Sequence, residues 1–200
     1  SYLNAGIAMS KDHIKFIKHK RLGLKRIFHV LPPHDNDLDL KKIHFGIFTN
    51  LYSDGRKHES FFLETISKLD PQLVKFSIIG KGWSEIIKKL QKKKFEITYQ
   101  RFFFRKRYIF ELKKIDYLIY LGRDEGSMSF LDAIQLGIKT IMIPQGFQKD
   151  LKKFITYEVS NNLNNLDLIF EKILLKKKRY VQIKKKLTWK NYALEHIKIW

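Results

Sequence analysis

Cysteine is absent from this 200-residue chain, which excludes a disulfide framework, a thiolate metal site and a catalytic thiol. That suits a reducing compartment. No apolar run approaches the roughly eighteen residues of a membrane-spanning helix, and no secretory signal pattern is present. The chain is therefore expected to be soluble and cytoplasmic. Its seven histidines never take a ligand spacing such as His-x-x-x-His, so no zinc site is expected. Acids are scarce. Twenty Asp and Glu stand against 40 Lys and Arg, a net charge of +20, and such a surface seeks anions. Nucleic acid, anionic lipid headgroups and phosphorylated small molecules all qualify, because basic runs at 15–25, 88–94, 101–114 and 175–186 are spread along the chain. The alternative use of this excess is plain solvated helix surface. The 44% hydrophobic content is enough for a buried core.

The richest stretch is 116–150, DYLIYLGRDEGSMSFLDAIQLGIKTIMIPQGFQKD. An apolar run at 117–121 reads as a strand, and the loop 122–126 breaks it. Residues 127–136 then carry Met128, Leu131, Ala133 and Ile134 at helical spacing, and Gly137 ends the helix. A second buried strand is expected at 138–143. A strand feeding a helix whose first turn is Gly126, Ser127, Met128 and Ser129 leaves backbone N–H groups open to an anion. An ordinary αβ unit that binds nothing has the same shape.

From Leu40 onward strand and helix alternate. Strands are expected at 43–49, 73–79, 95–99, 117–121 and 138–143, with a weaker one near 154–159. Helices are expected at 59–69, 85–93, 107–112 and 127–136, followed by two terminal helices at 166–175 and 181–199. The alternation implies an α/β fold, a Rossmann-like parallel sheet with helices on both faces. Residues 1–39 keep a different rhythm: a strand at 5–9, a helix at 11–18 capped by Ser10, a strand at 27–31 and an acidic linker at 34–39. We expect them to be a remnant of a front lobe with its linker, joined to a Rossmann-like domain at 40–200 that ends in the two terminal helices. No internal repeat is visible.

Read in order, these landmarks resemble the C-terminal half of a GT-B glycosyltransferase, in the large retaining group that includes bacterial glycogen synthases and mannosyltransferases of cell-envelope assembly. The resemblance covers nearly the whole chain. Its landmarks are GIAMS at 6–10, VLPPHD at 30–35, FTNLYSDGRKHE at 48–59, IIGKG at 78–82, IDYLIYL from Ile115, DEGSMSFLDA from Asp124 and LTWKNYALEH at 187–196.

The resemblance implies transfer of a sugar from a nucleotide-diphosphate donor, a UDP-sugar or GDP-sugar, to a polysaccharide, glycan or lipid-linked acceptor, without a metal. Lys57 matches the family's phosphate-neutralising Lys. The family's Arg falls near Asn50, which is uncharged, so Arg56 is the expected substitute. Arg56 and Lys57 also read as a solvated turn pair. The paired acids of the family, eight positions apart, match Glu125 and Asp132 at a separation of seven. The first would touch sugar hydroxyls and the second the ribose. Counting from Asp124 restores the spacing but moves the glycine match, and Glu125 is retained. The amides of Gly126, Ser127 and Met128 would face the diphosphate, and Glu125 with Lys57 would carry catalysis. His58 stands where the family has Gly and reads as a surface residue. Phe102, Phe103 and Phe104 would shelter the base, plug the core or meet the absent front lobe.

Expected partners are the nucleotide sugar, the acceptor, the front lobe and anionic membrane at the inner face of the plasma membrane; nucleic acid is not expected, for want of a motif. Two other classes stay open: a basic nucleic-acid-binding module, suggested by RFFFRKRYIF, and a GT-B-like epimerase or non-catalytic scaffold, suggested by the shortened acid motif.

Overall fold

Apolar runs of four to six residues, each followed by a turn and an amphipathic helix, pair in parallel because a helix must carry the chain back before the next strand begins. The computed structural model describes residues 5–20, 24, 26–35 and 39–199. In chain order the elements are β1 (Ala5–Ala8), α1 (Lys11–His19), β2 (Arg26–His29), β3 (Ile43–Phe48), α2 (Glu59–Ser67), β4 (Val74–Ile79), α3 (Ser84–Lys92), β5 (Glu96–Gln100), α4 (Arg105–Leu112), β6 (Tyr117–Tyr120), α5 (Met128–Gln135), β7 (Lys139–Met142), β8 (Tyr157–Glu158), α6 (Leu166–Lys186) and α7 (Trp189–Ile199). Residues 36–38 of the expected linker, and 21–23 and 25 of the first basic run, lie outside the described residues.

The chain divides into two compact units, 1–40 with 176–200, and 41–175. In the first, β1 and β2 pair in parallel from Ala5 with Arg26 to Ala8 with His29. The Ser10 side chain accepts from the His13 N–H at 3.0 Å and starts α1 as the sequence suggests. The end of the chain turns on Thr188, whose Oγ1 accepts from Asn191 N–H at 3.2 Å, while Trp189 Nε1 donates to Asp35 at 2.6 Å.

One expectation needs correcting. The apolar pattern predicts two terminal helices, at 166–175 and 181–199, with a break in the basic run; the helix is instead continuous from Leu166 to Lys186, and the break falls before Trp189. Lysine is a good helix former, and the run holds neither glycine nor proline, so nothing in it stops a helix.

The second unit holds a six-stranded parallel sheet in the order β5-β4-β3-β6-β7-β8. Counting from β3, this is the doubly wound order 3-2-1-4-5-6. The chain builds outward from β3 in one direction, then returns through α4 and builds the other way from β6. The crevice beyond the carboxyl ends of β3 and β6 is the topological switch point, where such sheets bind ligands. Helices cover both faces. On one, Phe45 stacks on Phe76 at 5.7 Å and meets Phe170 of α6 edge-on at 5.4 Å, while Phe62 of α2 packs on Trp83. The other face buries Phe48, Leu118 and Met142 against Tyr108 and Leu112 of α4 and Phe130 and Ala133 of α5.

Candidate functional site

Three loops converge at the switch point. The loop after β3 and the loop after β6 are tied by the Arg123 N–H donating to Arg56 O at 2.9 Å. The loop after β7 is tied to them by Phe147 N–H donating to Glu125 O at 3.3 Å. Glycine makes this close approach possible: a Cβ on Gly146, at φ +48°, would lie 2.0 Å from Glu125 O. Gly126 is at φ +115°, and a Cβ there would press into the Phe147 ring at 2.8 Å. Both positions are therefore closed to side chains.

Lys57 is the cation of this crevice. Its side chain is only 4% exposed, and its ammonium pairs with the Asp124 carboxylate, donates to Tyr120 OH at 2.6 Å and lies 4.5 Å from the centre of the Tyr120 ring. Tyr120 OH in turn donates to Asp124. Burial alone would raise the Asp124 carboxyl, but hydrogen bonds from Lys57 and Tyr120 outweigh it and hold the group below the usual carboxylate range. Burial, reinforced by the bond to Asp124, pushes the Tyr120 phenol far above its ordinary value, so it serves as a neutral donor. Below the ammonium a small cavity is walled by Ile47, Phe62, Trp83 and Tyr120.

The helix α5 begins at this point. Ser127 is its N-cap residue, buried and making no side-chain cap bond. The Gly126 N–H is directed at Asp124 Oδ1 at 3.4 Å. Among the described residues the N–H groups of Ser127 and Met128 meet no acceptor. Met128 is 70% exposed, so this end of the helix is open.

Asp132 lies one turn further along α5. It accepts from Tyr108 OH at 2.7 Å and from both terminal nitrogens of Arg105, at 3.0 and 3.3 Å. Burial would raise its carboxyl, but the bonds from Arg105 and Tyr108 prevail and lower it. A carboxylate offers about four lone-pair sites, and three donors already occupy Asp132.

The remaining expected residues fall as follows. Arg56 is exposed; its guanidinium sits 4.8 Å from the Tyr52 ring centre and is paired with Asp54. Asn50 Oδ1 accepts from Lys81 N–H at 2.8 Å and braces the loop after β3 against the glycine turn after β4. Glu125 is exposed, and its carbonyl is what contacts the loop after β7. His58 takes a left-handed backbone, φ 54°, at the start of α2, a conformation that glycine adopts freely and His only occasionally. The fold thus brings Lys57, Gly126, Ser127 and Met128 together, with Glu125 in the same loop; Arg56 stays within electrostatic reach of Asp124 though paired with Asp54, and Asn50 is turned to the glycine turn after β4.

Sequence reasoning passed over Tyr120 and Asp124. The Asp124 signal was present: eight positions separate it from Asp132, the spacing that the resemblance asks for. Tyr120 gave none, being read as the end of an apolar strand. Arg105 and Tyr108 are likewise invisible as partners of Asp132 until α4 is laid against α5.

No protein-family model matches the chain, and no curated protein matches it in sequence. Solved structures do match. TarM aligns with 98% of this chain at 14% identity and a TM-score of 0.50; this chain spans 43% of its length. The catalytic domain of cholesterol-α-glucosyltransferase from Helicobacter pylori aligns over its whole length with 80% of this chain, at 15% identity and a TM-score of 0.51. The shared property is the fold. That fold, a six-stranded parallel sheet flanked by helices, matches the α/β lobe found in GT-B glycosyltransferases.

Proposed function

We propose that residues 41–175 are the donor-binding lobe of a retaining glycosyltransferase that takes a UDP-sugar or GDP-sugar without a metal and passes the sugar to a polysaccharide, glycan or lipid-linked acceptor. One observation carries the reading: a buried lysine ammonium lies at the switch point, beside the open N-terminus of α5 and with a single carboxylate as its counter-ion. In transfer the anomeric C–O bond to the diphosphate breaks, the nucleotide diphosphate leaves with the electron pair, and the acceptor oxygen bonds the anomeric carbon from the same face while its proton passes to the departing diphosphate oxygen. The charge that grows on the leaving diphosphate is the charge to be stabilised. Lys57 and the amides of Ser127 and Met128 meet it, and Arg56 supplies a second cation once it leaves Asp54. Glu125 holds the sugar hydroxyls. Asp132 offers its remaining lone pair to the ribose. Asp124 is the resting counter-ion, which the diphosphate displaces from Lys57.

A second reading, a non-catalytic lobe, is favoured by that same ion pair, since Lys57 is already neutralised without a ligand. Thermal melting with UDP and GDP at millimolar concentration, with and without chelator, separates the two. A donor lobe gains stability from at least one nucleotide, loses the gain in Lys57→Ala and keeps it in chelator. A folded protein indifferent to both nucleotides is not a donor lobe.

A further inference from the structure

The segment Arg101 to Lys114, RFFFRKRYIFELKK, joins the edge strand β5 to β6 and includes all of α4. Its outer surface has an unusual composition. Four phenylalanines are open to solvent, Phe102 at 49%, Phe103 at 47%, Phe104 at 62% and Phe110 at 59%. A soluble helix has no reason to turn so many aromatic rings outward when its inner face already buries Tyr108 and Leu112.

The charges follow the same surface. Arg101, Lys106, Arg107 and Lys113 are exposed, and none of them pairs with a carboxylate among the described residues. The one acid of the segment, Glu111, is 5% exposed; one carboxylate oxygen accepts from the buried Ser77 hydroxyl at 2.8 Å and the other from Lys114 Nζ at 2.9 Å. An ordinary solvated helix mixes both signs on its outer face. Here the exposed positions carry cations and phenylalanine, and of those cations Arg105 and Lys114 are paired, with Asp132 and Glu111, while among the described residues the other four are not. Positions 106, 107, 110, 113 and 114 recur at helical spacing, Phe102 to Phe104 lead into them from the preceding loop, and α4 itself is about 12 Å long. Phe110 therefore lies well down the helix from the strand ends, so a small molecule in the crevice does not account for it. Lys114 Nζ sits 3.6 Å from the centre of the Phe110 ring, and Arg101 lies 5.4 Å from that of Phe102. Rings and cations are interleaved rather than segregated.

We infer that this face of α4 and its leading loop docks on an anionic lipid surface, with the phenylalanines entering the boundary between headgroups and acyl chains and the cations held at the phosphates. Unpaired cations interleaved with exposed phenylalanine rings fit that occupant. Among the described residues no helix is long and apolar enough to cross a membrane, so the contact is peripheral. The inference does not depend on the nucleotide reading.

The test is sedimentation with vesicles of phosphatidylcholine alone and of phosphatidylcholine with phosphatidylglycerol. Because the whole chain carries +20, the variants must separate this face from general attraction. The parent is expected on the anionic vesicles only. Phe104→Ser with Phe110→Ser should lower partitioning by about tenfold or more, since exposed rings lose their apolar site of insertion. Lys106→Glu with Arg107→Glu should lower it by about fivefold for each cation removed. Lys178→Glu with Arg179→Glu, an equal charge change on α6, should do distinctly less. Melting temperatures check folding, and each pair on α4 stands for the other if one unfolds. Partitioning unchanged by the phenylalanine pair, or an α6 pair as damaging as the α4 pair, overturns the inference. So does binding of a random single-stranded oligonucleotide that depends on the phenylalanines while vesicle binding does not.

Discussion

Removing Asp124 and removing Lys57 break the same contact, yet the two changes should differ in size and in how a ligand repairs them. The Lys57 side chain is 4% exposed and that of Asp124 27%. In Asp124→Ala the ammonium stays desolvated, with only the Tyr120 hydroxyl and ring beside it. Removing one partner of a buried pair costs about 3–5 kcal/mol, and the lower end applies because water can enter at the Asp124 side. In Lys57→Met the carboxylate left behind is reached by solvent and keeps the Tyr120 hydroxyl, so the loss is nearer one charge-assisted hydrogen bond, about 1.5 kcal/mol. For a chain of this length each kcal/mol is worth roughly 2–4 °C in Tm. Asp124→Ala should then melt ~6–12 °C below the parent and Lys57→Met ~3–6 °C below it.

UDP tells them apart. A ligand at a hundredfold its Kd contributes about 2.7 kcal/mol. A diphosphate that replaces the lost carboxylate should return most of the Asp124→Ala deficit and none of the Lys57→Met deficit. The assay is thermal melting of the three proteins across a UDP series. Equal losses that UDP leaves untouched, or a Lys57→Met protein that gains as much from UDP as the parent, would refute the idea that Asp124 occupies the place of a ligand phosphate.

Gly146→Ala should cost about 2 kcal/mol or more, because a non-glycine residue at φ +48° is strained and its Cβ meets the Glu125 carbonyl; urea melts measure it, and a neutral change would mean that the loops after β6 and β7 are not in contact. The lowered carboxyls of Asp124 and Asp132 bind protons less readily in the folded chain. The stability they give is present above the ordinary carboxylate value near ~4 and is lost as pH falls through their folded values. Asp132→Asn should therefore flatten the acid limb of stability against pH, and an unchanged limb would contradict the bonds to Arg105 and Tyr108. Burial, with Lys75 nearby, lowers the His44 imidazole against the opposing Glu111 and Asp116. Its folded form is the neutral one, so its contribution is complete above ~6.5 and declines as pH drops below that. His44→Gln should reduce the slope on the acid side of about pH 6.5 in urea melts; an identical slope would exclude His44 as its source.

Periodicity carried the fold. The strands at β3, β4, β6 and β7 came within a residue or two of their observed ends because buried parallel strands are near-continuous apolar runs bounded by glycine, proline or charge. The end of α6 was less legible: a lysine-rich run looks like a loop by composition and behaves as a helix by propensity, and only the Thr188 cap marks the real break. At the site, the resemblance singled out Lys57 and the strand–turn–helix pattern the glycine turn, and the fold puts the two side by side. What it could not supply was the choice between Asp124 and Glu125, adjacent acids that differ in which one meets a lysine 67 positions away. That choice rests on the β3–β6 pairing, which is tertiary information. Asn50 shows the same limit from the other side, since a loop position matching a ligand-binding one braces the glycine turn after β4 instead.

The most direct test of the donor-site reading is calorimetric titration of the chain with UDP, GDP, uridine and inorganic pyrophosphate, repeated on Lys57→Met. The account predicts that one nucleoside diphosphate binds, that uridine alone binds far more weakly, and that Lys57→Met abolishes the difference between them. Diphosphate binding of equal strength in Lys57→Met, or none to the folded parent, would contradict it.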